Sequence, residues 1–506
     1  MVVTSHQSGV HVVAFPFALK GHMGPFMQFS KSLANYGIDV TFITTSPHLA
    51  STQNFFKAQH NVHIACFDMP IEHGEVTPDN FRIMAHHINN LRDQFFELMK
   101  ALFARDGTSI TSLPSLSHFG PPLCIISDMF LSWTQDVADE FKIPRYCLCV
   151  ASACYLSFLY NFPYFYAQGL IPGPSDGEPL IIPGFPPISP CDVPVPRGPH
   201  RTKAMEFLQY HGRHLRKTTR LLVNSTYELE SGVIESLQNI LCNDFEGNQV
   251  PKILAIGPLL ENFAQGEQNP KEMLQVEHQN HECLQWLGKQ PISSVLYICF
   301  GTISMLPTQQ MYELALGLEA SGVRFLWLVR GAQVGPNGLS NDKSLGTLLP
   351  EGFLERTKGI GLIYSSWAPQ LHCLAHPAIG GFMTQCGWNS AIESIAMGVP
   401  MITWPLEWAE QEMNAQFCVD VLDVAVPIHN KGIGSKKIVG KEEVEWVIRL
   451  LMEDGQVQRS KVKELSKILG MACAPGGSSR KDLNIFVEEL HSMASIKFTD
   501  RASSPI

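Results

Sequence analysis

WAPQLHCLAHPAIGGFMTQCGWNSAIESIAMGVPMITWPLEWAEQ, residues 367–411, decides how the rest of the chain is read. Apolar runs of strand length alternate with polar turns. GLIYSS (361–366) leads to Trp367, AIGGFMT (378–384) to Gln385 and the run Gly387-Trp388-Asn389-Ser390, and VPMITW (399–404) to Pro405. Ser390–Met397, stopped by Gly398, reads as a short helix. Buried strands alternating with helices imply an open α/β sheet, whose ligands bind beyond the carboxyl ends of the strands. The polar residues of this stretch collect at those ends.

The chemistry of that edge suits a phosphate-bearing nucleotide. Gly387 lets backbone come close to a ligand, and Asn389-Ser390 open a helix whose free N–H groups and positive dipole end suit a pyrophosphate. No Lys or Arg falls between Trp367 and Gln411, so amides, hydroxyls and a helix end would hold the anion. Glu393, four residues after Asn389 and on the same helix face, is a carboxylate that can accept from ribose hydroxyls. Trp367 offers a flat face for a base. Glu410 and Gln411 supply one carboxylate and one amide, the groups that grip sugar hydroxyls. These residues alone leave a second reading open: a buried βαβ unit whose polar turns face solvent.

As a whole, the stretch resembles the signature box of plant family 1 UDP-dependent glycosyltransferases, through WAPQ, LAHPAIGGF, CGWNS, ES, GVP, WPL and the closing EQ. The resemblance implies a GT-B fold, two Rossmann-like α/β domains with parallel sheets facing each other across a cleft. It further implies that Trp367 stacks on uracil, that Ala368 and Gln370 hold the uridine, and that Gly387, Asn389 and Ser390 take the phosphates. Glu393 would hold the ribose, and Trp388 (by its backbone), Glu410 and Gln411 the sugar; a closing Gln goes mostly with glucose. There are two departures. Gln385 stands where the family usually has a His contacting the pyrophosphate, and it can donate a hydrogen bond but never a positive charge. The run Glu407-Trp408-Ala409 is one residue longer than the usual spacing.

At 506 residues the chain is too long for one core, and two domains are expected. Apolar content of 45% with 17% charged residues describes an ordinary globular protein. A net charge of −10 argues against nucleic acid or an anionic membrane as partner. The 13 cysteines form no CxxC pair and the amino terminus has no secretory pattern, so reduced, mostly buried thiols and a cytoplasmic protein are expected. Tyr146–Ala167 is uncharged, but Ser152, Ser157, Asn161 and Pro163 interrupt it, and no membrane span is expected. A monomer is expected.

The expected organisation is an acceptor-binding domain (1–260), a linker (261–280), a UDP-sugar domain (281–475), a helix crossing back to the first domain (476–493) and a frayed tail (494–506). In the first domain VHVVAFPF (10–17) reads as a buried strand and ALKGHMG as its turn. Pro25 suits a first helical position, and Phe26, Phe29 and Leu33 follow at helical spacing. His22 thus lies at the strand's carboxyl end, as does Asp128 after the apolar strand Leu123–Ser127. By residue type alone His22 also fits a solvated turn and Asp128 a helix N-cap. FPFALKGHMGP resembles the family's opening motif, which makes His22 the catalytic base and Asp128 its partner.

Ser152 falls near where the family sets a small hydroxyl residue against the sugar. The aromatic run that includes Tyr155, Phe158 and Phe162 is either core or, as in the family, partly acceptor wall, and Pro163–Pro199 reads as an irregular binding loop. RLLVNSTYELE (220–230) resembles the family's last strand of this domain, with ILAIGPLL (253–260) leading out of it. Thr302 and Ser304 resemble its phosphate-side hydroxyls. His372 and His376 have i, i+4 spacing but no accompanying HExxH glutamate, and a structural role is expected. No Asp-x-Asp occurs, and neither a metal nor another cofactor is expected. The function implied is inverting transfer of a sugar, glucose first, from a UDP-sugar to a small hydrophobic acceptor, phenolic or terpenoid. Two alternatives remain: a shell that holds nucleotide weakly through Gln385 and does no chemistry, or a sugar-nucleotide epimerase or hydrolase.

Overall fold

β1 (His11–Phe15), β4 (Cys124–Asp128), β5 (Arg145–Cys149) and β8 (Val295–Cys299) are buried at every residue. Continuous apolar runs of this kind arise where helices cover both faces of a parallel sheet. The computed structural model describes residues 9–69, 91–104, 120–173, 177–195, 201–245, 250–261, 263, 281–301, 306–329, 348–365, 367–406, 410–428 and 438–502. Thr302, Ser304, the run Glu407-Trp408-Ala409 and most of the linker expected at 261–280 lie outside them.

The strands form two sheets. With β2 (Asp39–Thr45), β3 (Val62–Phe67), β6 (Arg220–Val223) and β7 (Lys252–Ala255), the first has the order β3-β2-β1-β4-β5-β6-β7. With β9 (Arg324–Leu328), β10 (Gly361–Tyr364), β11 (Ile379–Thr384), β12 (Met401–Thr403) and β13 (Ala425–Pro427), the second has the order β10-β9-β8-β11-β12-β13. Every pairing is parallel. This is the two-domain GT-B arrangement expected from the signature box.

Several boundaries differ from expectation. The first helix runs Lys20–Asn35, so His22 rides on its first turn and Pro25 lies inside it. The first sheet has a strand, β7, beyond the one at 220–223. Pro163 sits within the helix Ala153–Ala167, so the irregular segment begins later than Pro163. The last helix is Ser478–Ala502, continuing through residues where fraying is expected. It lies on the first domain: Phe486 is fully buried against Phe29 and Tyr146. Glu489 accepts from Tyr146 Oη at 2.8 Å and pairs with Arg220, and Asp482 accepts from the backbone N–H of Ala255 at 2.8 Å. The 13 cysteines stand as thiols. Among the described residues no helix is long and apolar enough to cross a membrane.

Candidate active site

Each sheet reverses its order once, between β1 and β4 in the first and between β8 and β11 in the second. The loops leaving such a pair diverge to opposite sides and open a crevice at the carboxyl edge. His22 and Asp128 stand at the first crevice. Gly301 and the run Gln385–Asn389 stand at the second. The two crevices meet: Asn389 Nδ2 donates to Gly21 O at 2.5 Å, and the Trp388 indole N–H donates to Asn224 O at 2.7 Å. Pro25 has no N–H to offer the Gly21 oxygen four residues before it, which leaves that oxygen for the other domain.

His22 Nδ1 lies 2.7 Å from Asp128 Oδ2. The carboxylate is fully buried, and its other oxygen accepts from the backbone N–H of Phe130 at 2.9 Å. That is a local turn, since the next helix begins only at Thr134; Asp128 is not a helix cap. The imidazole side chain is 16% exposed. Burial works against its charged form, but the charge of Asp128 and its hydrogen bond, with the Glu410 charge added, outweigh this and raise the His22 pKa above 6.5. Behind Asp128 lies a buried guanidinium. Arg145 donates through Nε to Ser127 Oγ (2.8 Å) and Thr134 Oγ1 (2.9 Å), and through Nη2 to the backbone oxygen of Asp128 (3.3 Å).

On the second domain the helix Trp388–Ala396 starts at Gly387, which has no side chain to cap its first-turn N–H groups, and the Glu410 carboxylate meets the N–H of Trp388. The Gln385 amide fills the gap between two glycines: a Cβ on Gly301 would stand 2.2 Å from Gln385 Nε2, and one on Gly387 3.3 Å from it. Gly301 also has φ +76°, a left-handed conformation that favours glycine. Gln370 Nε2 donates to both Ser390 Oγ (3.0 Å) and Glu393 Oε2 (2.7 Å). Burial pushes the Glu393 carboxyl up to about 7, against the pull of that Gln370 bond. The Trp367 indole is 58% exposed beside the His281 ring, whose Nε2 lies 3.2 Å from the Trp367 oxygen; Ala368 is buried beneath. Burial also raises the Glu410 pKa, opposed by its own backbone N–H, the His22 charge, the Trp388 backbone N–H and Asn414. Gln411 is buried, and its Oε1 accepts from Leu406 N at 2.8 Å.

The aromatic residues divide. Phe158 and Phe162 are fully buried members of the core, on a helix that is apolar almost all round. Tyr155 is buried with Glu410 and Cys149 near its hydroxyl. Ser152 caps that helix, accepting from Tyr155 N at 3.2 Å, and its Oγ donates to Asn414 Oδ1 of the second domain at 3.3 Å. The rings nearest His22 are Phe17 and Phe130, at 5.4 and 5.8 Å between centroids. Phe130 continues the wall to Phe207 and His211. The sequence reading missed Phe17, Phe130, Phe207 and His211; Phe17 and Phe130 sit within five and two residues of the proposed dyad, the one signal that was available. His372 is buried, and His376 Nδ1 accepts from Ala378 N at 3.2 Å.

The chain is similar to known glycosyltransferases in sequence and in fold. The profile of the family described as "UDP-glucoronosyl and UDP-glucosyl transferase" matches residues 269–449. UDP-glycosyltransferase 72B1 of Arabidopsis thaliana is 32% identical over 490 residues, covering 94% of this chain and 95% of that protein. Malvidin galactosylase UGT88C3 of Oryza sativa subsp. indica is 34% identical over 427 residues, covering 82% and 81% respectively. Among solved structures, Phytolacca americana UGT2 complexed with UDP-2fluoro-glucose and pterostilbene superposes with a TM-score of 0.76 at 27% identity, covering 95% of this chain and 99% of that one.

Proposed function

Since this chain belongs to the plant family 1 UDP-glycosyltransferases, which move a sugar from a UDP-sugar to a small-molecule acceptor, we propose that it is an inverting glucosyltransferase for a small aromatic alcohol, with His22 as general base. One observation carries the reading: a carboxylate-backed imidazole at one switch point, held against the helix start of the other through Gly21 and Asn389. His22 Nε2 takes the acceptor's O–H proton as that oxygen bonds to the sugar's anomeric carbon. The bond from that carbon to the UDP oxygen breaks in the same displacement, so an α-linked donor gives a β-glycoside. Asp128 holds the proton on Nδ1 and steadies the imidazolium. UDP leaves onto backbone and side-chain amides at the start of the helix Trp388–Ala396. No metal enters the scheme.

Phe17 and Phe130 flank the base and favour an apolar, aromatic acceptor, and the pterostilbene bound by the Phytolacca relative is of that kind. The galactosylase among the relatives makes UDP-galactose the donor to test beside UDP-glucose. UDP release and product mass are measured for both donors with a panel of phenolic and terpenoid alcohols. Glycoside formation is expected. Silence with every pair would favour a nucleotide-holding shell, and donor consumption without acceptor a hydrolase.

Two further outcomes are expected at the donor side. Ionised, Glu393 can accept from ribose hydroxyls through both oxygens and more strongly than its neutral acid could, yet its pKa is about 7 in the ligand-free protein. UDP-glucose does not titrate in this range, so its affinity should rise from pH 6 to pH 8 by up to about tenfold, one proton per site. Calorimetry in buffers of different ionisation enthalpy measures the proton released, and a pH-independent constant would remove Glu393 from the ribose. Gln385→His places a chargeable donor beside the phosphates, and about tenfold tighter UDP binding is expected, as for a charge-assisted hydrogen bond. Unchanged affinity would mean that position does not meet the nucleotide.

A further inference from the structure

Asn224, the first residue after β6, belongs to the first domain but is fully buried against the second. Its main-chain oxygen takes the Trp388 indole N–H. The side chain is committed at both ends. Oδ1 accepts from Leu259 N at 2.8 Å, which fixes the opposite end as the donor, and Nδ2 gives its hydrogen to Asn389 Oδ1 at 3.3 Å. Asn389, its oxygen engaged, presents Nδ2 to Gly21 O at 2.5 Å, one residue before His22. Four groups therefore form a relay with one direction of donation, from Leu259 through Asn224 and Asn389 to Gly21. Space for it is cut close: a Cβ on Gly257 would stand 2.8 Å from Asn224 Oδ1 and 2.5 Å from Ser225 N.

We propose that Asn224 is a positioning residue for the transfer, an amino-terminal-domain side chain that sets the orientation of the Asn389 amide at the donor crevice. The inference rests on the reading of Asn389 as a phosphate ligand. A primary amide has a donor face and an acceptor face of nearly equal shape. Turned the wrong way, Asn389 would offer an oxygen to the pyrophosphate and repel it. Asn224 at one end of the amide and the Gly21 oxygen at the other remove that choice, both from the domain that carries the base, so the donor site is complete only when both domains contribute.

A double-mutant cycle on the full chain tests this, with UDP affinity read by calorimetry and the Michaelis constants for UDP-glucose and acceptor measured alongside. Asn224→Ala is expected to weaken UDP binding and raise the UDP-glucose constant about tenfold, with the acceptor constant unchanged. In an Asn389→Ala background the same change should have no effect on UDP affinity. Equal losses in both backgrounds, or no loss in either, would overturn the proposal, because Asn224 would then not act through Asn389. A wild-type chain that fails to bind UDP would instead bring down the donor-site reading itself, and the proposal with it. If Asn224→Ala does not fold, Asn224→Asp replaces it in the cycle. The aspartate keeps the Leu259 bond and draws the Asn389 N–H groups towards itself, so it too should weaken UDP binding, and unchanged affinity would count against the proposal.

Discussion

His22→Ala is expected to lower kcat for glycoside formation by about 10²–10⁴, the usual share of a general base. An alcohol is a poor nucleophile at neutral pH, and no other imidazole among the described residues lies at the meeting of the two crevices. His211, which shares the Phe130 contact, is buried against Phe130 and Phe207, and burial with the Arg145 charge pushes it down to about 3. Its Nδ1 is engaged with Ser132 Oγ at 2.8 Å. Affinity for UDP should be nearly unchanged in the variant, because the nucleotide contacts proposed here lie on the other domain. Single-turnover rates and UDP calorimetry on the same preparation separate the two quantities. Turnover equal to wild type would remove His22 from the mechanism.

Asp128→Asn should cost a comparable factor by a different route. Asparagine can keep the Phe130 N–H through its oxygen and must then turn its N–H₂ towards His22 Nδ1. An imidazole accepting there carries its proton on Nε2, the atom that has to take the acceptor's proton, so the wrong tautomer predominates and a loss of about 10²–10⁴ is expected. The sign of the pH effect follows from the same contact. In the wild type the Asp128 charge holds the His22 pKa above 6.5, so kcat/KM should rise as pH increases through that raised value, where the neutral base appears. In the asparagine variant burial is opposed by the Glu410 charge alone, and the rising limb should move to lower pH. A pH–rate profile with an unmoved limb would show that another group limits the reaction.

The donor side was legible because its spacing is local. Strand, turn and helix between 361 and 404 fall within a few residues of expectation, and Gly398 ends its helix with φ +63° as read. The first helix was misjudged for a tertiary reason. Pro25 suits a first helical position, and only the other domain's Asn389, meeting the oxygen that proline leaves, shows why it is tolerated at the sixth. Phe158 and Phe162 were open to either reading, since helical spacing alone cannot tell a core face from a ligand face. Asn224 and Phe130 carried no pattern of their own. They matter through partners distant in sequence, Asn389 and His22.

The last helix has a consequence for synthesis. Tyr146, Arg220 and the backbone of Ala255 all wait for partners between Asp482 and Glu489, and Phe29 waits for Phe486. A ribosome finishes the first sheet more than two hundred residues before it makes those partners. Until then a nascent chain carries an uncovered apolar strip on that domain, whose native packing is completed only when the last helix arrives. Folding is completed from the far end of the message.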